Sequence, residues 1–170
     1  MAKVNEMVTA SETKKAAAVK AIKTNEKKWS KTLMDAGWTA FPSIILEKQA
    51  ALGLSALDIN IILHLSTYWW DADNKPHPTK ATIAEALGVS PRTIQRRIAS
   101  MEAAGFMERE YRKNKNKGND SNKYHFDGLI DEVTPHAEEK LEAIEERRAA
   151  EAARKKRRRP LKVINGSKTS

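Results

Sequence analysis

The 170-residue sequence contains no cysteine, which excludes disulfide staples, thiolate nucleophiles and cysteine-built zinc fingers. Aromatic residues are sparse, at 6%, and no stretch approaches the roughly 18 consecutive apolar residues of a membrane-crossing helix. The opening residues also lack the continuous apolar core of a secretory leader. These absences predict a cytoplasmic protein with no membrane partner. His64, His77, His125 and His136 are scattered without compact metal-ligand spacing, and no phosphate-binding glycine loop is present. Asp71 and Asp73, beside Asn74, Lys75 and Pro76, read as turn residues and not as a carboxylate pair. The expectation is a non-enzyme with no catalytic residue, metal or cofactor, and no recognisable small-molecule pocket.

Positive charge is what the chain has in excess. With 31 Lys and Arg against 22 Asp and Glu, the net charge is +9, which favours polyanionic partners without choosing among them. Residues 1–36 hold 8 basic against 4 acidic side chains, residues 37–130 hold 12 against 10, and residues 131–170 hold 11 against 8. Aliphatic residues concentrate between Phe41 and Ile130. The expected organisation is a basic arm over 1–36, helical or partly disordered, one domain over 37–130, a charged helix over 131–159 and a flexible tail over 160–170.

Within the central part, residues 78–105 carry the densest set of local signals. Thr79 can cap a helix over Lys80 to Leu87 by accepting from the backbone of Thr82. Ile83, Ala84 and Leu87 form its inward stripe. Gly88 permits the left-handed backbone of a sharp reversal, and Val89 plugs the corner. Ser90 and Pro91 then form a second start signal, a capping serine followed by a first-turn proline, for a helix over Pro91 to Ala104.

At 100° per residue, Ile94, Ile98 and Met101 share one face of that helix. Arg92, Arg96, Ala99 and Ala103 lie opposite, flanked by Gln95, Thr93 and Ser100. A major groove admits one α-helix, guanine offers two acceptors to arginine, and adenine offers a donor and an acceptor to glutamine. Arg92, Gln95 and Arg96 are therefore the candidate base readers. Arg97 falls near the buried edge and is assigned to a phosphate, with Thr79, Lys80, Ser90 and Thr93 as further backbone contacts. The competing reading is an amphipathic helix whose arginines only solvate its outer face.

Two flanking patterns complete the domain. Upstream, Trp38, Phe41, Ile44, Ile45 and Leu46 anchor a short segment, and Ser55 can cap a helix from Ala56 to about Trp69. Tyr68, Trp69 and Trp70 are assigned to packing. Downstream, Phe106 to Arg112 and Asn122 to Phe126 read as strands around a polar segment, with Tyr124 and Phe126 on one side. The hairpin tip would carry Lys113, Lys115 and Lys117 to a neighbouring phosphate backbone or minor groove, or else remain a solvated loop.

The runs PTKATIAEALGVSPRTIQRRIASMEAAGFMERE and NKYHF, with FPSIILEKQAALGLSALDINIILHLSTYWW before them, resemble the winged helix-turn-helix family, as found in bacterial regulators and in phage or plasmid replication proteins. The resemblance implies that the second helix, Pro91 to Ala104, enters the major groove while the wing touches the flanking backbone. The fold class expected is mainly α with a small β-hairpin (α+β), with helical extensions at both ends.

The extensions are less defined. Ser11 to about Leu33 can be helical, with Val19, Ile22, Glu26, Trp29 and Leu33 at an imperfect three-four spacing. It would dock on the domain, pair with another copy, lie along DNA or stay partly disordered. Thr134 and Pro135 look like a helix start, with an acidic run before Arg147 and a basic one at the end, an order that favours antiparallel self-pairing. Arg154, Lys155, Lys156, Arg157, Arg158 and Arg159 either meet phosphates or form a solvated end.

The leading functional expectation is a sequence-specific binder of double-stranded DNA, nucleoid-associated, acting as a dimeric transcriptional regulator of a bacterial chromosome or mobile element. One alternative is a phage or plasmid replication-initiation or partition factor whose terminal helix recruits a replication protein. Another is a structural nucleoid protein with little sequence preference.

Overall fold

The computed structural model describes residues 20–114, 118–119 and 121–157. Helix α1, described over 20–29, is followed by α2 (Lys31–Asp35), α3 (Ser43–Glu47), α4 (Ala56–Ser66), α5 (Lys80–Leu87) and α6 (Pro91–Ala103). Strands β1 (Glu108–Glu110), β2 (Lys113–Asn114), β3 (Gly118–Asn119) and β4 (Lys123–His125) precede the long α7 (Asp127–Arg157). β1 pairs antiparallel with β4, placing Arg109 opposite Tyr124, and β2 pairs antiparallel with β3, placing Lys113 opposite Asn119. The wing ladder thus reaches into the segment expected to be plain loop. Backbone pairing satisfies the main-chain polar groups of such a stretch.

One apolar core joins α3, α4, α5, α6, the wing and the start of α7. Ile61, Leu65, Ile83, Ile94 and Ile98 are fully buried at its centre, with Tyr124, Phe126, Leu129 and Val133 closing it from the C-terminal side. Tyr124 also donates its backbone N–H to the Pro76 carbonyl at 2.9 Å, so the connector between α4 and α5 lies along β4.

The capping signals are realised. Ser55, Thr79 and Ser90 cap α4, α5 and α6 by accepting from Asp58, Thr82 and Thr93. Gly88 ends α5 at φ +65°, and Val89 N–H returns to the Ala84 carbonyl at 3.0 Å. α4 stops at Ser66, short of the expected Trp69, because the hydroxyls of Ser66 and Thr67 take the carbonyls of Ile62 and His64 and compete with helix propagation.

Three expectations need correction. Thr134 and Pro135 do not start the last helix. It begins at Asp127, with Pro135 inside it, because Leu129 and Val133 bury against the core before the proline is reached. Of the aromatic trio, Trp69 packs against the core, with its ring 5.7 Å from that of Phe126, while Tyr68, edge-on to His64, and Trp70 are exposed. The N-terminal helix breaks at Ser30, whose φ is +82°, and Ile22, Trp29 and Leu33 stay exposed.

A tight backbone approach fixes where α7 leaves the domain. Gly105, at φ +78°, ends α6 with Phe106 N–H on the Met101 carbonyl, and Leu129 N–H donates to the Phe106 carbonyl at 3.0 Å. A methyl group on Gly128 would collide with the Gly105 carbonyl oxygen. Gly128→Ala is therefore expected to cost about 1–3 kcal/mol in urea unfolding, as overpacking does. An unchanged midpoint would mean that α7 can shift freely.

Candidate nucleic-acid interface

The outward face of α6 is built by difference: every large apolar side chain on this helix is buried. Ile94, Ile98 and Met101 key into the core, which leaves Arg92, Gln95, Arg96, Ala99, Ser100 and Ala103 in solvent. Arg92 and Arg96 make no ion pair with any described residue. Between and below them, Ala99 and Ala103 add no bulk, so the cationic side of the helix is also its slimmest. That shape suits entry into a groove.

Two arginine forks hold α6 in place. Arg97 Nε donates to Asp58 Oδ1 at 2.7 Å, and its Nη2 donates to Oδ2. The Asp58 carboxylate also accepts from Ser55 N at 2.7 Å and from Ser55 Oγ at 2.6 Å. Asp58 is 1% exposed. Burial opposes its ionisation, but the hydrogen bonds from Arg97 and Ser55 outweigh that cost and hold its carboxyl below the usual carboxylate range. At the other end of α6, Glu102 accepts from Arg109 Nε at 2.9 Å and from Arg109 N at 3.3 Å, tying the wing to the helix. The Arg109 hydrogen bond lowers the Glu102 pKa.

Both forks alter the sequence-based picture. Arg97, expected on a phosphate, is instead committed to Asp58, because an almost fully buried carboxylate on α4 requires a cation. Arg109 is likewise engaged by a carboxylate, that of Glu102. Neither Asp58 nor Glu102 was singled out from sequence. Ser55 and Asp58 have the spacing of a reciprocal cap, and this was the available signal. Its partner 39 residues away had none.

The remaining assigned residues divide by location. Thr79 Oγ1 and Ser90 Oγ accept from the backbone of Thr82 and Thr93 at 3.1 Å, and the hydroxyls of Ser90 and Thr93 pair at 2.9 Å, so these side chains organise the helix starts. Lys80, expected on a phosphate, donates from Nζ to Gln95 Oε1 at 3.1 Å across the turn. Lys113 stands in the outer wing ladder, whereas Lys115 and Lys117 lie outside the described residues. Nearer the wing base, Glu110 engages His125 at 3.2 Å and Lys123 at 3.6 Å. Exposed Tyr111 lies under the Arg109 guanidinium, 5.7 Å from it.

In α7, Arg154 and Lys155 are exposed and Lys155 pairs with Glu151 at 2.8 Å. Lys156 and Arg157 belong to the last described turn of that helix, and Arg158 and Arg159 lie outside the described residues. An apolar hollow of about 300 Å³ that was not foreseen lies between α3, α4 and α7, lined by Phe41, Ile45, Trp69, Phe126 and Leu129.

Two helices in a tight capped turn, the second stripped of bulk and carrying free cations on its outer face, followed by a two-ladder hairpin, define a winged helix-turn-helix, a DNA-binding class of domain. Residues 52–107 match the helix-turn-helix domain family, and the chain carries such a domain. Among solved structures, the N-terminal domain of DnaD protein from Geobacillus kaustophilus HTA426 aligns at 19% identity with a TM-score of 0.48, covering 68% of this chain and 93% of that one. Disulfide-formed AbfR aligns at 16% identity with a TM-score of 0.36, covering 85% of this chain and 99% of that one. No curated protein matches the sequence. No helix among the described residues is long and apolar enough to cross a membrane.

Proposed function

We propose that this chain is a non-enzymatic, sequence-specific binder of double-stranded DNA that regulates transcription from a bacterial chromosome or mobile element by occupying its site, in the cytoplasm and on the nucleoid. The observation that carries this reading is the outer face of α6. Arg92 and Arg96 are exposed and unpaired among the described residues, while the two neighbouring arginines, Arg97 and Arg109, are consumed by carboxylates. A protein that needed those four cations only for solubility would have no reason to pin the helix between two of them.

A second copy is proposed as the partner of α7. From Glu145 to Lys155 every residue of this helix is exposed. Glu138, Glu139, Glu142, Glu145 and Glu146 precede Arg147, Arg148, Arg154 and Lys155. Antiparallel copies would set each acidic run against a basic one, and two-fold symmetry calls for an inverted repeat in the DNA. The same projecting helix also supports an alternative function as a replication-initiation or partition factor, with a replication protein docked on α7.

Genomic DNA affinity selection with sequencing, at stated salt, tests the proposal. Inverted repeats recovered at promoters are expected. Recovery at a single origin would favour the replication reading, and uniform recovery would overturn sequence-specific binding altogether.

A further inference from the structure

The hydrogen bond between Lys80 and Gln95 bears on which base the second helix reads. We infer that Lys80 converts Gln95 from an adenine reader into part of a donor-only pair that selects guanine. The inference rests on α6 being the reading helix.

A glutamine amide has one acceptor, Oε1, and one donor nitrogen carrying two protons. Reading adenine in the major groove uses both ends, since adenine offers an acceptor at N7 and a donor at N6. Here one of the two Oε1 lone pairs is taken, and the ammonium that takes it sets a positive charge against any second donor. Lys80 Nζ donates to Gln95 Oε1 at 3.1 Å, and among the described residues no carboxylate pairs with that ammonium. The Gln95 Nε2 protons are therefore the groups left to an incoming base, and the ammonium keeps two further N–H donors beside them.

Such a pair matches guanine, which displays two acceptors, N7 and O6. Adenine would set its N6 donor against a donor, and cytosine would do the same with N4. Thymine offers one acceptor, O4, and would be second best. The fold makes the contact reproducible. Lys80 is the first residue of α5, directly after the Thr79 cap, and Gln95 lies in the second turn of α6. The Gly88–Val89 corner fixes the approach of the two helices.

Selection from a random duplex library, run with the full chain, tests this directly. Gln95→Ala identifies the base pair that Gln95 reads, and Lys80→Met and Lys80→Arg are compared at that position. The wild-type chain is expected to prefer guanine there by roughly tenfold, the scale of one good base contact. Lys80→Met should move the preference to adenine, and Lys80→Arg, which retains a donor for Oε1, should keep guanine.

Wild-type selection of adenine would overturn the inference while leaving the DNA-binding reading intact. So would a Lys80→Met variant that loses affinity uniformly but still prefers guanine, because Lys80 would then only support the fold. A chain that selects no sequence, or whose site ignores Arg96→Ala, would overturn the DNA-reading function and this inference with it.

Discussion

Arg97→Met is expected to destabilise the protein by about 3 kcal/mol, measured by urea unfolding near neutral pH. That is the lower end of the range for breaking a buried ion pair, because the Arg97 side chain is 30% exposed while Asp58 is 1% exposed. Methionine preserves most of the stem packing, so the loss isolates the charge left behind. In the wild-type protein the Asp58 pKa is depressed below its ordinary 3.8. Its contribution is therefore complete above that value and lost as pH falls through the folded pKa.

In the variant, burial without the guanidinium should raise the same pKa, so the penalty is present at neutral pH and relieved by protonation. The stability gap between the two proteins is expected to narrow as pH falls through the variant's raised Asp58 pKa and on towards the lowered wild-type one. A gap that stays constant with pH would show that Arg97 acts by packing alone. Adding Asp58→Asn to Arg97→Met should recover much of the loss, since no buried charge then remains.

The second large effect concerns recognition. Arg92→Ala combined with Arg96→Ala is expected to weaken binding to a selected site by about 2–6 kcal/mol, taking about 1–3 kcal/mol for each bidentate contact and additivity of the two. Binding to random duplex should fall far less, because phosphate contacts carry most of it. Competition between the two duplexes at a fixed salt concentration reads the difference. Both side chains are exposed and unpaired among the described residues, so unfolding should be nearly unchanged. Equal losses on both duplexes would remove these residues from base reading.

Much of this interface was legible in the sequence because its signals are local. Thr79, Gly88, Ser90 and Pro91 each act within about one helical turn, and periodicity alone separated Ile94, Ile98 and Met101 from Arg92 and Arg96. The alternation of Tyr124 and Phe126 was similarly visible, since a strand's faces follow from a period of two. What the sequence could not reveal depended on distant partners. Arg97 and Arg92 are the same residue type on the same helix, and only the position of Asp58 on α4 makes one structural and leaves the other free. Pro135 looked like a helix start because its local signal is strong. The burial of Leu129 and Val133 overrode it.

By itself the sequence determined the capped turn, the apolar and cationic sides of the second helix and the absence of cysteine chemistry, all consequences of covalent geometry and short-range periodicity. The tertiary structure decided which cations remain available, where α7 begins and that Gln95 Oε1 accepts from Lys80. The pairings of Lys80 and of Arg97 join groups 15 and 39 residues apart in the chain. Only the packing of α4, α5 and α6 around one core brings such groups within hydrogen-bond reach.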